Sequence, residues 1–359
     1  MAQWRSLLSR LIPSVAELAD PELILFRIKD VDLQVPDGKT MVILGPSGCG
    51  KSTILRIIAG LMAVDTGEVR YDGVAMGNMP PGERQIGMVF QNYALYPNFT
   101  VKDNILAHYL FSKRTPGLDQ IAKEKFRKTS ELLGVEVEAL LGRMPNNLSG
   151  GEKQRVALGR CITRDPVLFL MDEPLSNLDS RLREKYRINL KRLLKHFGLT
   201  SIYVTHDQQE ALMLGDLLAI MNQGEIEQQG SFDDIYRHPK NVFVAEFMNL
   251  EADTPAINWI SGKYISPQYE GRKIGVRPEE IEIFPDEQPG SFLARVTDRL
   301  DIPIKKVTIL DLNFYENFVS VSLPLDHPAA REKKVWLRVK SFHVFDKENG
   351  SRLQSIPTR

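Results

Sequence analysis

Met41-Val42-Ile43-Leu44-Gly45-Pro46-Ser47-Gly48-Cys49-Gly50-Lys51-Ser52 is the stretch whose reading decides the fold. From Gly45 onward it fills every fixed position of GxxxxGK[ST], and the apolar residues before it predict a strand running into a loop. The glycines let successive backbone N–H groups turn inward around an anion. A helix opening near Lys51 adds the positive end of its dipole. Lys51 is then the candidate contact of β- and γ-phosphates, and Ser52, next to Thr53, the candidate Mg²⁺ ligand.

A second segment, Val167-Leu168-Phe169-Leu170-Met171-Asp172-Glu173, is an apolar run ending in two acids. It reads as a buried parallel strand presenting carboxylates at its C-terminal end, the edge where such sheets bind ligands. Asp172 is placed to reach the Mg²⁺ shell, and Glu173 to orient or deprotonate an attacking water. Further on, Leu148-Ser149-Gly150-Gly151-Glu152 precedes a helical stretch over 153–163 and offers glycines and a serine at a helix N-terminus. One nucleotide is not cradled by two helix N-termini from opposite sides of one small domain. The economical reading is that this second site completes the pocket of a partner chain.

With these motifs the sequence resembles the ATP-binding subunits of ABC transporters over at least residues 30–248. Gln91 stands in the position of the Q-loop glutamine, Ser176-Asn177-Leu178-Asp179 in that of the D-loop, and His206 of Val204-Thr205-His206-Asp207 in that of the switch histidine. The resemblance implies a P-loop α/β ATPase domain with a helical subdomain, and ATP with Mg²⁺ as cofactors. It implies nucleotide contacts from residues 45–53, Gln91, Asp172 and His206, and Mg²⁺ ligation by Ser52, Gln91 and Asp172. The catalytic set is Glu173, His206 and Gln91. Leu148 to Glu152 and Asp179 would face the nucleotide of a second copy or close paralogue. Membrane permease subunits, and through them a solute-binding protein, are the further partners, at the cytoplasmic face of the membrane.

Composition agrees. Lys plus Arg equals Asp plus Glu at 46 each, so the charge balance does not argue for nucleic acid as a partner. The two cysteines, Cys49 and Cys161, form no disulfide framework, which suits a reducing compartment. No apolar run approaches the roughly 20 residues that span a bilayer, and Pro13 with scattered charges breaks any secretory signal. The chain needs other subunits to move a solute.

At 359 residues, two domains are the expectation. The first covers 1–240, with the helical subdomain near 98–162. Expected strands there are 26–35, the stretch before Gly45, 68–71, 86–90, 167–171, 201–204 and 217–221, and the helix after the loop is expected over 54–62. From Glu251 the helix signals fade into short β-rich runs at 273–276, 281–284, 292–296, 306–310, 318–323 and 335–339. That spacing predicts a small all-β domain over 241–359. Gly275-Val276-Arg277-Pro278-Glu279-Glu280 and Phe342-His343-Val344-Phe345-Asp346 make it resemble the OB/TOBE-like regulatory domain of sugar-importer ATPases, open to a cytoplasmic regulator; a dimerisation module is the alternative.

The segment from Gly87 to Pro97, with Tyr96, resembles carbohydrate importers of the maltose and multiple-sugar type. Polyamine, glycerol phosphate and inorganic anion importers, or a non-transport ABC ATPase or silent regulatory subunit, are the alternatives. An adenine-stacking aromatic is expected some twenty residues before the loop, near Glu22 and Leu23, and neither has a ring; Trp4, Leu7, Leu8 and Leu11 instead share a helical face. Cys49, beside loop N–H groups and Lys51, is expected to have a lowered thiol pKa and to be reactive.

Overall fold

The computed structural model describes residues 27–357 apart from 114, 134–138 and 252. The amphipathic face at Trp4, Leu7, Leu8 and Leu11 and the ringless positions Glu22 and Leu23 lie outside the described residues.

β1 (Thr40–Leu44) has all five residues buried. It leads into α1 (Lys51–Ile58), the hairpin β2 (Arg70–Tyr71) and β3 (Val74–Ala75), and β4 (Ile86–Val89). Helices α2 (Val101–Phe111), α3 (Leu118–Leu133) and α4 (Gly150–Ile162) follow, then β5 (Leu168–Asp172), α5 (Ser180–Phe197), β6 (Ser201–Thr205), α6 (Gln208–Leu214), β7 (Leu217–Asn222) and β8 (Glu225–Gly230). These strands form one sheet in the order β4-β5-β6-β1-β7-β8, parallel except for the antiparallel edge strand β8.

Side chains alternate across a strand, so β1 feeds two cores. Val42 and Leu44 pack with Val89, Phe169, Met171 and Tyr203 on one face. Met41 and Ile43 pack with Ile54, Leu55, Leu170 and Val204 on the other. Both faces are covered, which is why these strands read as unbroken apolar runs.

The segment 27–35, expected as a strand, makes no ladder. Its Ile28, Val31, Leu33 and Val35 are partly buried against the second core while the residues between them are exposed. The slip in alternation falls where Asp30 takes a left-handed φ of 49°. The hairpin strand keeps only Arg70–Tyr71 of the expected 68–71. The helix after the loop runs Lys51–Ile58, a turn earlier than the apolar pattern places it, because Gly50 serves as its N-cap.

The rest comprises α7 (Phe232–Arg237), α8 (Val242–Phe247) and β9 (Asn258–Ser261), β10 (Lys273–Val276), β11 (Ile281–Phe284), β12 (Phe292–Ile302), β13 (Val307–Phe314), β14 (Asn317–Pro324), β15 (Lys334–Val339), β16 (Ser341–Phe345) and β17 (Arg352–Pro357). They form sheets β17-β16-β10-β9 and β11-β15-β12-β13-β14 around one apolar cluster. The all-β character expected here is what the structure has. β12 and β13 extend to Ile302 and Phe314, well past their expected ends. At the middle of the free edge of β14, Asn258 covers Ser320: its side-chain amide donates to Ser320 O (3.0 Å) and accepts from Ser320 N (2.8 Å).

α8 serves both parts. Val244 and Met248 pack into the core of the parallel sheet, whereas Ala245 packs with Ile257 and Phe345. Arg277, 3% exposed, bolts the parts together: its guanidinium donates to Ala245 O (2.8 Å), Met248 O (2.9 Å), Ala256 O (2.6 Å) and Tyr236 O (3.1 Å), and lies 4.1 Å over the Tyr236 ring. Buried carbonyls stripped of a partner cost about 1–3 kcal/mol each. Arg277→Ala is therefore expected to split urea unfolding into two transitions, with the β-rich part released first. A single transition at an unchanged midpoint refutes the bolt.

Candidate functional site

Register builds the site. Leu44 pairs with Thr205, Asp172 with Val204, and Val89 with Met171, so the C-terminal ends of β1, β4, β5 and β6 stop at one level of the sheet. Asp172 is the last residue of β5, and residues 45–52, Gln91, Glu173 and His206 follow those ends. A parallel sheet binds ligands at this edge.

In the loop, Gly48 (φ 79°) and Gly50 (φ 108°) adopt the left-handed conformation that an inward-turning backbone needs. Gly45 is required for a different reason, since a Cβ there would run into the carbonyl oxygen of Met221. Pro46, Ser47 and Gly48 are exposed, Cys49 and Lys51 buried. Lys51 Nζ donates to Gly45 O and Pro46 O, each at 2.9 Å, which holds the ammonium over the loop. Thr53 follows Ser52 on α1.

Ser52 Oγ donates to Asp172 Oδ1 at 2.7 Å, uniting the hydroxyl of one motif with the carboxylate of the other. Burial pushes the Asp172 carboxyl above its ordinary range; the neighbouring Glu173 charge pushes the same way, and Ser52, Arg56 and Lys51 oppose it. Hydroxyl and carboxylate oxygens are the donors a hard divalent cation takes, and phosphate oxygens complete such a shell, so this pair fits Mg²⁺. Glu173 Oε1 lies 3.1 Å from His206 Nδ1. Glu173 has φ 44°, a conformation disfavoured for a residue with a side chain, and Ser176 Oγ anchors it by donating to Glu173 O at 2.8 Å.

Gln91 is exposed, and its carbonyl accepts from Asn177 Nδ2 at 2.8 Å, joining its loop to the turn at 176–179. The loop continues through left-handed Tyr93 (φ 63°) and Ala94 (φ 44°), whose carbonyls accept from Arg160 at 2.9 and 2.6 Å.

The glycine-rich motif at 148–152 sits on the helical side. Leu148 is buried; Ser149 caps α4, accepting from Glu152 N while its own N–H donates to Glu152 Oε2 at 2.7 Å. The helix starts at Gly150, three residues earlier than the sequence pattern suggests, because this reciprocal cap defines its first turn. Gly151 is held against Tyr186, whose hydroxyl a Cβ would strike. Asp179 caps α5 by accepting from Leu182 N at 3.0 Å, and is exposed.

Sequence reasoning named Asn177 only as part of the 176–179 motif and missed Arg160, Tyr186 and the arginines Arg183 and Arg187. The last two carried a signal, since residues four apart share a helix face.

Cys49 corrects the expectation of a lowered pKa. Burial raises it, and this outweighs Lys51, whose Nζ stands 3.9 Å from the sulfur. Cys161 is pushed by burial to about 11. Since the thiolate is the nucleophile, native chain at pH 7 is expected to resist maleimide at both sites. Raising the pH should label Cys49 before Cys161, and ATP should slow Cys49. Reaction of Cys49 at the rate of a free thiol at pH 7 contradicts this, and so does labelling indifferent to ATP.

Residues 28–176 match the ABC transporter family model. The sn-glycerol-3-phosphate import ATP-binding protein UgpC of Brucella abortus (strain 2308) is 45% identical over 276 residues, covering 75% of this chain and 77% of the relative. UgpC of Vibrio cholerae is 38% identical over 355 residues, covering 91% of each. Among solved structures, the dimeric MJ0796, a bacterial ABC transporter cassette, aligns with a TM-score of 0.51 at 33% identity, over 57% of this chain and 90% of that one. No helix among the described residues is long and apolar enough to cross a membrane. With the phosphate loop, the paired carboxylates and these relatives in agreement, the chain belongs to the ABC transporter family, as an ATP-hydrolysing subunit of the importer type.

Proposed function

We propose that two copies close head to tail, each ATP lying between residues 45–53 of one copy and Ser149, Gly150 and Gly151 of the partner subunit, and that closure and hydrolysis drive solute uptake through membrane subunits. The observation that carries this is the meeting of the Ser52–Asp172 pair and the Glu173–His206 pair beside Lys51 at one sheet edge. The dimeric MJ0796 cassette supports the arrangement.

In this reading Lys51 exchanges its loop carbonyls for β- and γ-phosphate oxygens. Ser52, Asp172 and Gln91 hold Mg²⁺, which supplies charge neutralisation on the phosphates. Glu173 takes a proton from the attacking water, and His206 contacts the γ-phosphate from the far side of Glu173. Glu173 is anchored at its backbone by Ser176 and at Oε1 by His206, and in this reading Oε2 takes the proton.

Gln91 heads the loop that reaches the membrane partner. Beyond it, Tyr96, Phe99 and Phe111 cluster: Phe99 stacks on Phe111 at 5.8 Å between centroids, and Tyr96 meets Phe99 tilted at 5.3 Å and Phe111 edge-on at 5.7 Å, with Tyr96 43% and Phe111 65% exposed. An exposed aromatic cluster of this kind suits a docking surface for a permease loop at the cytoplasmic face of the membrane. The names of the UgpC relatives point to sn-glycerol 3-phosphate as the first solute to test within the carbohydrate-like class. Uptake of labelled sn-glycerol 3-phosphate against maltose, in vesicles carrying the chain with its permease and binding protein, decides the solute.

Glu173→Gln keeps shape but removes the base, so ATP binding is expected to persist while turnover falls by about 10² to 10⁴. Lys51→Ala should lose ATP binding itself. Normal turnover of the first variant, measured by phosphate release, removes Glu173 from the role. Phe111→Asp is expected to leave basal hydrolysis within twofold and abolish co-purification with the membrane subunits; retained co-purification moves the docking surface elsewhere.

A further inference from the structure

Behind Glu173 and His206 lies a polar ring that the chemistry above leaves unassigned. Ser176 Oγ donates to Glu173 O, and Ser176 O and Leu178 O both lie within reach of Arg183 Nη2, at 3.5 and 3.0 Å. Arg183 Nη1 stands 4.0 Å from Asp207 Oδ2, and Arg187 Nη2 reaches the same oxygen at 3.4 Å. The other oxygen, Asp207 Oδ1, accepts from Gln209 N and Glu210 N and so fixes the start of α6. Asp207 N donates to Thr205 Oγ1, which donates to the buried Glu210. His206, between Thr205 and Asp207, closes the ring on Glu173 at 3.1 Å.

The ring surrounds a cavity of about 40 Å³ lined by Glu173, Ser176, Arg183, Thr205, His206 and Asp207. A polar cavity of that size has room for a water. Arg183 Nε is buried without a protein partner, the donor such a water would satisfy.

We infer that Arg183 is a positioning residue that ties the turn Ser176–Asp179 to the His206 loop, so that displacement of Asp179 by the partner copy is felt at His206. The inference rests on the head-to-tail reading above. Its two guanidinium arms face different segments, the carbonyls of the turn with Nη2 and the Asp207 carboxylate with Nη1, and a planar fork transmits a shift of one to the other. Arg187 is deeper, with 5% of its side chain exposed against 32% for Arg183, and pairs with Asp207 and Glu184 without touching the turn. Packing falls to Arg187. Linkage falls to Arg183.

The test is a mutant cycle read at the His206 imidazole by NMR on the full chain, a signal that does not depend on turnover. Asp179→Ala is expected to shift the His206 resonances in the wild-type background and to leave them unmoved in Arg183→Met. Arg183→Met is also expected to lower kcat about tenfold with the KM for ATP within twofold, and Arg183→Lys, which keeps one arm, to fall between. The thermal midpoint should stay within a few degrees. Equal His206 shifts in both backgrounds overturn the inference, as does a fall in kcat matched by loss of folded protein. If wild type hydrolyses ATP and Glu173→Gln does not, the proposed chemistry stands whichever way the cycle falls; a chain that fails to hydrolyse ATP loses that chemistry while the NMR cycle still decides the linkage.

Discussion

The parallel pairing of β1 with β6 on one side and β7 on the other is the constraint on which the rest depends. A strand bonded along both edges and buried on both faces has no freedom to slide, because a one-residue slip would exchange its two cores. Its end is therefore fixed relative to its neighbours. The phosphate loop, the carboxylate pair and His206 come from segments far apart in sequence, yet they meet because their strands stop at one level. Side-chain distances such as the 2.7 Å between Ser52 and Asp172 are consequences of that ladder.

Much of this was legible in the residues. Glycines at 48 and 50, the apolar runs and the acids at 172 and 173 each have a local physical reason to be where they are, and local reasons survive into the fold. What stayed hidden is what only tertiary contact decides. β8 is a polar edge strand, Glu225-Ile226-Glu227-Gln228-Gln229-Gly230, with no apolar period to betray it. β9 and β17 are short of apolar residues and are defined by pairing with their neighbours. Cys49 shows the same limit in electrostatics: sequence places Lys51 two residues away and suggests a lowered pKa, but only the fold reveals how completely the thiol is buried.

The junction between the two parts has its own logic. Arg277 spends its donors on carbonyls rather than on a carboxylate, so the bolt is made to backbone that any residue at 236, 245, 248 or 256 would supply. The Tyr236 ring beneath the guanidinium is the one side chain of these four that the bolt also uses. Because α8 and its C-cap contribute Val244 and Met248 to one core and Ala245 to another, a tilt of that helix must disturb both.

The cover that Asn258 gives Ser320 reaches further than local tidiness. A carboxamide carries the same donor and acceptor as a peptide group, so this one side chain counterfeits one residue of a neighbouring strand opposite Ser320. A long hairpin that ended there with bare N–H and C=O groups would be a template for any extended chain, including an unfinished copy of itself emerging from the ribosome. An aspartate in its place would offer two acceptors and no donor and leave Ser320 O facing negative charge. A single amide thus fills, at the middle of this edge, the place a stranger's backbone would otherwise take.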